Sequence, residues 1–160
     1  MEKNKEIRLL DASELQMAMD LAWKVFSEYQ APRLPDEAIE EMWATLDYEY
    51  MLHRYGDGSV RLWGAFDNGR MVGMCVIRGL SYLQLLYVDG EYQGQGVGTN
   101  LLKQAVLDCK KQDEWLDHLT VSAPITAAEF FEKLGFTATG DEEVLDGLAV
   151  VPMLLQGRTE

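Results

Sequence analysis

The sequence predicts a mixed α/β fold in which helices flank a central sheet that cannot be wholly parallel. Three observations lead there. Apolar runs at residues 60–66, 71–77 and 81–88 follow one another with only short turns between them, the mark of an antiparallel meander. Segments with apolar residues at helical spacing stand on both sides of that meander in the chain. A glycine-rich turn, Gln93-Gly94-Gln95-Gly96-Val97-Gly98, leads from the third run straight into an amphipathic stretch. A length of 160 residues suits one domain over 1–160 with a single core.

In order, residues 7–10 read as a short first strand. Asp11 or Ser13 can cap the next segment, and Ser13 with Gln16 fits a capping box. Leu15, Met19, Ala22, Trp23 and Phe26 then recur at helical spacing to about Tyr29. Ala31-Pro32-Arg33-Leu34-Pro35 interrupts, and a second helix starts at Pro35 and Asp36 and runs through Ile39, Met42, Trp43 and Leu46. Residues 48–59 carry no decisive period. Asp67-Asn68-Gly69 is a hairpin turn between the first two runs of the meander. Residues 98–110 form a helix with Leu101, Leu102, Ala105, Val106 and Cys109 on one face. Residues 118–122 form a strand, and 126–134 a helix stopped by Gly135. Residues 136–145 and 148–155 close the chain as a strand pair around Asp146-Gly147. The order is β-α-α-β-β-β-α-β-α-β-β.

Composition narrows the function classes. The formal net charge is −13, with 14 Lys and Arg scattered along the chain, which opposes nucleic-acid binding and tilts weakly toward cationic partners. Cys75 and Cys109 lack CxxC spacing, and with two histidines they make no convincing zinc set, so no metal is expected. Both read as buried small residues. The methionines, Met17, Met19, Met42, Met71 and Met74 among them, and Trp23, Trp43, Trp63 and Trp115 read as core or half-buried packing. The N-terminus is charged without an apolar signal core, and no run approaches the ~20 apolar residues that span a bilayer. A reduced, cytoplasmic protein is expected.

The glycine-rich turn carries chemistry. Amides at a helix start have no internal acceptor, and the helix dipole adds positive charge there, so the turn can hold an anion, most often phosphate. Alternate glycines let that anion sit against the backbone. The Walker pattern fails because Thr99-Asn100 follows Gly98, and GxGxxG fails on spacing. A plain tight turn is the alternative.

Val88-x-x-x-x-Gln93-x-x-Gly96-x-Gly98, between an apolar strand and an amphipathic helix, resembles the acetyl-CoA signature of the GNAT superfamily of N-acyltransferases. Phe131-Glu132-Lys133-Leu134-Gly135-Phe136 is similar to the family's Y-x-K-x-G-F ending. The resemblance spans essentially the whole chain and implies a GNAT-like fold with a splayed, mostly antiparallel sheet. It implies that the backbone of Gln93, Gly94, Gln95, Gly96, Val97 and Gly98 cradles the CoA diphosphate, with Asn100 near the nucleotide end. It implies further that Leu86, Tyr87 and Val88 lie at the splay, and that an amide of Val88 or Leu86 polarises the thioester carbonyl. The implied activity is direct acetyl transfer from acetyl-CoA to a primary amine of a small molecule or protein, without a metal. A homodimer through exposed sheet edges fits such a fold.

Two departures matter. Phe131 stands where the family often has a proton-donating tyrosine, and Ser122 near where relatives carry a cofactor-binding asparagine. The third strand also lacks the usual carboxylate. Tyr82 and Gln84 occupy those positions, which leaves Glu28, at the acceptor mouth, as the preferred base over Glu91 and His118. An acyl-CoA-binding module without catalysis, and an interaction domain whose glycine loop binds nothing, are the rival readings.

Overall fold

The structure, a computed structural model, describes residues 5–79, 81–112, 118–145 and 147–156. Trp115 and Asp146, named above, lie outside them. The strands are β1 (Lys5–Leu9), β2 (Val60–Asp67), β3 (Arg70–Arg78), β4 (Tyr82–Val88), β5 (His118–Pro124), β6 (Thr137–Ala138), β7 (Glu143–Leu145) and β8 (Leu148–Gln156). The helices are α1 (Leu15–Tyr29), α2 (Asp36–Thr45), α3 (Tyr48–Gly56), α4 (Val97–Gln112) and α5 (Ala128–Lys133). The strands make one sheet in the order β1-β2-β3-β4-β5-β8-β6, with β7 also paired to β8. Among the described residues only β4 and β5 pair in parallel.

Local chemistry explains most boundaries. The β2–β3 hairpin turns on Asn68 (φ 54°) and Gly69 (φ 83°), two left-handed residues that match the twist of the flanking strands. The cap before α1 differs from the expected Ser13/Gln16 pair. The Asp11 carboxylate accepts from Ser13 N–H, and Glu14 accepts from Asp11 N–H, so the box closes over a short 3-10 turn. Gln16 instead donates to Asp20. The undecided residues 48–59 hold α3, whose first turn is capped by Asp47 accepting from Tyr50 N–H at 3.0 Å. The helix is only nine residues long, too short for a helical period to stand out in the sequence, and Met51 alone is fully buried, with Leu52 and Tyr55 partly so. Residues 136–145 do not form one strand. They contribute β6 and β7, separated opposite Pro152, which has no N–H to continue a ladder. Trp43 and Met17 are exposed rather than core; Trp43 packs edge-on against Trp23 at 4.8 Å.

Two hydrophobic layers cover the sheet. Leu101, Ala105 and Cys109 of α4 and Phe131 of α5 pack on one face against Val72, Cys75, Ile77 and Leu83. Leu15, Met19, Ala22 and Val25 of α1 with Met51 of α3 pack on the other against Leu62, Met74, Val76 and Leu85. β3 is buried on both faces, which is why it reads as an unbroken apolar run.

Two irregularities in β4 shape everything that follows. Its pairing with β5 is limited to Tyr82 with Thr120 and Leu83 with Val121, after which the strands part. Its pairing with β3 steps from Ile77/Leu83 to Val76/Leu85, leaving Gln84 as an extra, bulged residue. The bulge therefore lies ahead of residues 86–88. It inverts the alternation: Leu83 faces the α4 layer and Leu85 the α1 layer, and Leu86 returns to the α4 side.

Candidate active site

The parted strands open a wedge beside the glycine turn. Asp89 N–H donates to Val72 C=O at 2.8 Å, so Asp89 and Val72 form a hydrogen-bonded antiparallel pair. By the alternation of such pairs, Leu86 and Val88 direct their N–H and C=O groups away from β3, into the wedge. The Val88 carbonyl accepts from the Gln93 side-chain amide at 2.9 Å. β5 pairs with neither residue.

The turn itself keeps its donors open. Gly94 (φ 79°) and Gly96 (φ 84°) are left-handed, a conformation that side chains rarely adopt. A Cβ at Gly94 would meet nothing within 4 Å, and one at Gly96 only Asn100 Nδ2 at 3.9 Å, so the space over both is free. The first helical bond runs from Asn100 N–H to Gly96 C=O. The amides of Val97, Gly98 and Thr99 thus lack intrahelical acceptors at the positive end of the 16-residue helix α4. Gln95 turns its side-chain amide back to Glu91 C=O, clear of these donors.

A cleft of about 570 Å³ joins wedge and turn, lined by Leu86, Val88, Gln93, Gly94, Gly96, Val97, Gly98 and Phe131. Tyr92, Thr99, Thr126, Ala127 and Phe130 complete it. Sequence reasoning missed these five; only Phe130, beside the Phe131 motif position, and Thr99, directly after the glycine turn, carried a signal. Phe131 is buried and stacks edge-on with Phe130 and Phe136, so it forms an apolar wall without a proton to donate.

The loop is pinned from below. Asp89, 2% exposed, accepts from Glu91 N–H at 3.0 Å, Lys24 Nζ at 3.0 Å and Arg70 Nη2 at 3.1 Å. Those partners, the Glu91 amide foremost, hold its carboxyl below the ordinary range despite burial. The Tyr29 hydroxyl occupies the place a Cβ on Gly90 would take, which ties α1 to the same loop.

The remaining predicted residues fall elsewhere. Gln95 and Asn100 line a neighbouring groove of about 430 Å³ with Lys103, on the other side of the α4 start. Tyr87 points to the α1 layer, where its hydroxyl donates to Gln30 Oε1 at 2.7 Å and burial pushes its pKa up. Ser122 and Tyr82 line a third pocket, of about 310 Å³, on the opposite face of the sheet, together with Gln84. Glu28 is exposed on α1 and lines none of these cavities. The carboxylate that does line the third pocket is Glu41, on α2 with Ala38, Met42 and Thr45. The apolar spacing of that helix singles out Ile39, Met42, Trp43 and Leu46 instead, and of these only Met42 reaches the pocket. Among the described residues no group of three or more His, Cys, Asp or Glu could hold a metal, and no helix is long and apolar enough to cross a membrane.

Comparison with known proteins gives a consistent result. The family model for the acetyltransferase (GNAT) domain matches residues 30–156. The chain is 35% identical over 102 residues to the uncharacterized N-acetyltransferase YafP of Escherichia coli (strain K12), covering 64% of this chain and 61% of that protein. It thus spans about three fifths of that relative. It is 29% identical over 115 residues to N-alpha-acetyltransferase 30 of Schizosaccharomyces pombe, 65% of this chain and 73% of that one. Among solved structures, the PaiA N-acetyltransferase of Thermoplasma acidophilum in complex with coenzyme A shares the fold at a TM-score of 0.78 and 22% identity, with 95% and 98% of the two chains covered.

Proposed function

Because the chain belongs to the GNAT acetyltransferase family, we propose that it transfers the acetyl group of acetyl-CoA directly to a primary amine of a small molecule or protein. The observation that carries this reading is the conjunction of two features at one cleft: the parting of β4 from β5 and the open amides at the start of α4. The cleft suits the donor. Backbone donors and a helix dipole offer a diphosphate what Lys and Arg would otherwise supply, and the free space over Gly94 and Gly96 lets it approach. The N–H and C=O groups of Leu86 and Val88 offer an extended amide arm a strand edge. Relatives act on both kinds of acceptor by name: an N-alpha-acetyltransferase in yeast, and a spermidine N-acetyltransferase from Vibrio cholerae solved with CoA and spermine.

Acetyl-CoA supplies an activated thioester whose thiol leaves readily, with a thiol pKa near ~8.5. A general acid is therefore dispensable, in keeping with Phe131. The chain's own part is to orient and to stabilise charge. A fixed N–H of Val88 or Leu86 favours negative charge on the carbonyl oxygen as it develops. In this reading the acceptor enters from the opposite face, where Tyr82, Gln84 and Glu41 line the third pocket, and meets the thioester where β4 and β5 have parted. The amine must lose a proton, and Glu41 is the carboxylate that lines this pocket; Glu28 stands outside it.

The test is calorimetric titration with acetyl-CoA, followed by CoA release with a panel of amines. Gly96→Asp places a carboxylate against the open donors. It is expected to abolish acetyl-CoA binding while the circular dichroism spectrum is kept. Retained affinity in this variant would overturn the cradle assignment. Tight binding without turnover on any amine would favour an acyl-CoA-binding module.

A further inference from the structure

The third pocket has a charge pattern at odds with the protein as a whole. Arg78, at the end of β3, lines it and stacks over the Tyr82 ring with its guanidinium carbon 4.7 Å from the ring centroid. The chain holds 27 Asp and Glu against 14 Lys and Arg. Yet among the described residues Arg78 has no carboxylate partner, although Glu41 lines the same pocket. A planar guanidinium held by a ring keeps its hydrogen-bond donors directed and unspent, the arrangement suited to a carboxylate. Gln84, the bulged residue, carries the complementary feature. Its side-chain oxygen is buried with no hydrogen-bond partner. An unmet buried acceptor is costly, and a ligand N–H would satisfy it.

We propose that Arg78 selects the acceptor: it binds an anionic group on the amine, so that the preferred acceptor is a small zwitterion, a primary amine that bears a carboxylate. Its amine end meets Gln84 and Glu41, and its acid end meets Arg78. The inference rests on the transfer reading above for calling this molecule the acceptor. The net charge of −13 does not oppose it. Exposed charges are screened beyond about 8 Å at physiological salt, so inside the pocket the local pair of charges, Arg78 and Glu41, outweighs the protein's overall balance. A volume of about 310 Å³ suits a molecule of amino-acid size, and Phe26, Leu34, Leu85 and Val150 favour one with an apolar side chain.

The experiment uses matched pairs: L-leucine and leucinamide, 6-aminohexanoate and hexylamine, with spermidine as a polycation. Wild type is expected to acetylate each acid with a kcat/KM about tenfold or more above its carboxylate-free partner, the worth of one charge-assisted hydrogen bond. Arg78→Gln should erase that ratio through KM, Arg78→Lys should restore part of it, and acetyl-CoA affinity should not move. Equal use of acid and carboxylate-free partner, a preference for spermidine, or a ratio that survives in Arg78→Gln overturns the proposal. Titration of leucine and leucinamide, with and without CoA, applies the same criterion without turnover. Binding of the acid that depends on Arg78 sustains the site even if no transfer occurs, and equal or absent binding of the pair overturns it. Failure to bind acetyl-CoA would refute the transfer reading alone.

Discussion

Adding one methyl group at Gly73 tests how tightly the fold fixes the glycine turn. Gly73 lies on β3 under the first turns of α4. A Cβ there would stand 2.9 Å from Leu101 Cδ1 and 3.1 Å from Val97 Cγ1. Ordinary contact begins near 3.4 Å, so the neighbours must yield by about 0.5 Å. Leu101 is fully buried and cannot swing out, and Val97 is the first residue of α4, so the helix start moves. Gly64 offers a control. A Cβ there meets Leu10 Cδ2 at 2.8 Å, a similar clash, but in the α1 layer. Overpacking costs about 1–3 kcal/mol, and the stiffer unfolded chain of alanine returns about 0.4–1 kcal/mol. Both Gly73→Ala and Gly64→Ala are therefore expected to lose about 1–2 kcal/mol in urea unfolding at constant m-value. Only Gly73→Ala should also weaken acetyl-CoA binding, by about tenfold if the amides shift by a few tenths of an ångström. Equal acetyl-CoA affinities in the two variants would refute the claim that α4 packing sets the cradle.

Two further predictions concern ionisable groups. Asp89→Asn should destabilise by about 2 kcal/mol at neutral pH, less than a fully buried pair because Lys24 and Arg70 stay half-exposed to water. The folded-state pKa of Asp89 is lowered, so its contribution is complete above the unfolded value near ~3.9 and fades as pH falls through the folded value. The gap between the two proteins should shrink below about pH 4 in acid unfolding, and a constant gap would count against it. Cys75 and Cys109 are both fully buried, and burial pushes the Cys75 thiol far up. A disulfide reagent at pH 7.5 should label neither thiol until denaturant is added; fast native labelling would refute the packing described.

The elements that depend on local rules were legible in the chain. The Asn68-Gly69 turn, the period of α1 and α4, and the two apolar runs of β2 and β3 appear where their spacing places them. So does the open turn from Gly94 to Gly98, because glycine conformational freedom is written directly in the sequence. What escaped depends on contacts distant in sequence. The split of 136–145 follows from Pro152 on the facing strand. The α3 helix spans only nine residues, fewer than a helical period needs to stand out. The bulge at Gln84 exists only in register with β3, yet it decides that Leu86 and Val88 face one cavity while Tyr82 and Gln84 face the other. Glu41 and Arg78 come from α2 and from the end of β3, and no motif joins them.

The extra residue in β4 acts like a shift of reading frame within a single strand. Substitutions on either side of it can retune one binding surface without disturbing its counterpart, since their side chains project to separate faces. A deletion or insertion between Tyr82 and Val88 has no such freedom, because it would exchange the two sets of side chains in one step. This short segment can therefore change its letters far more readily than its length.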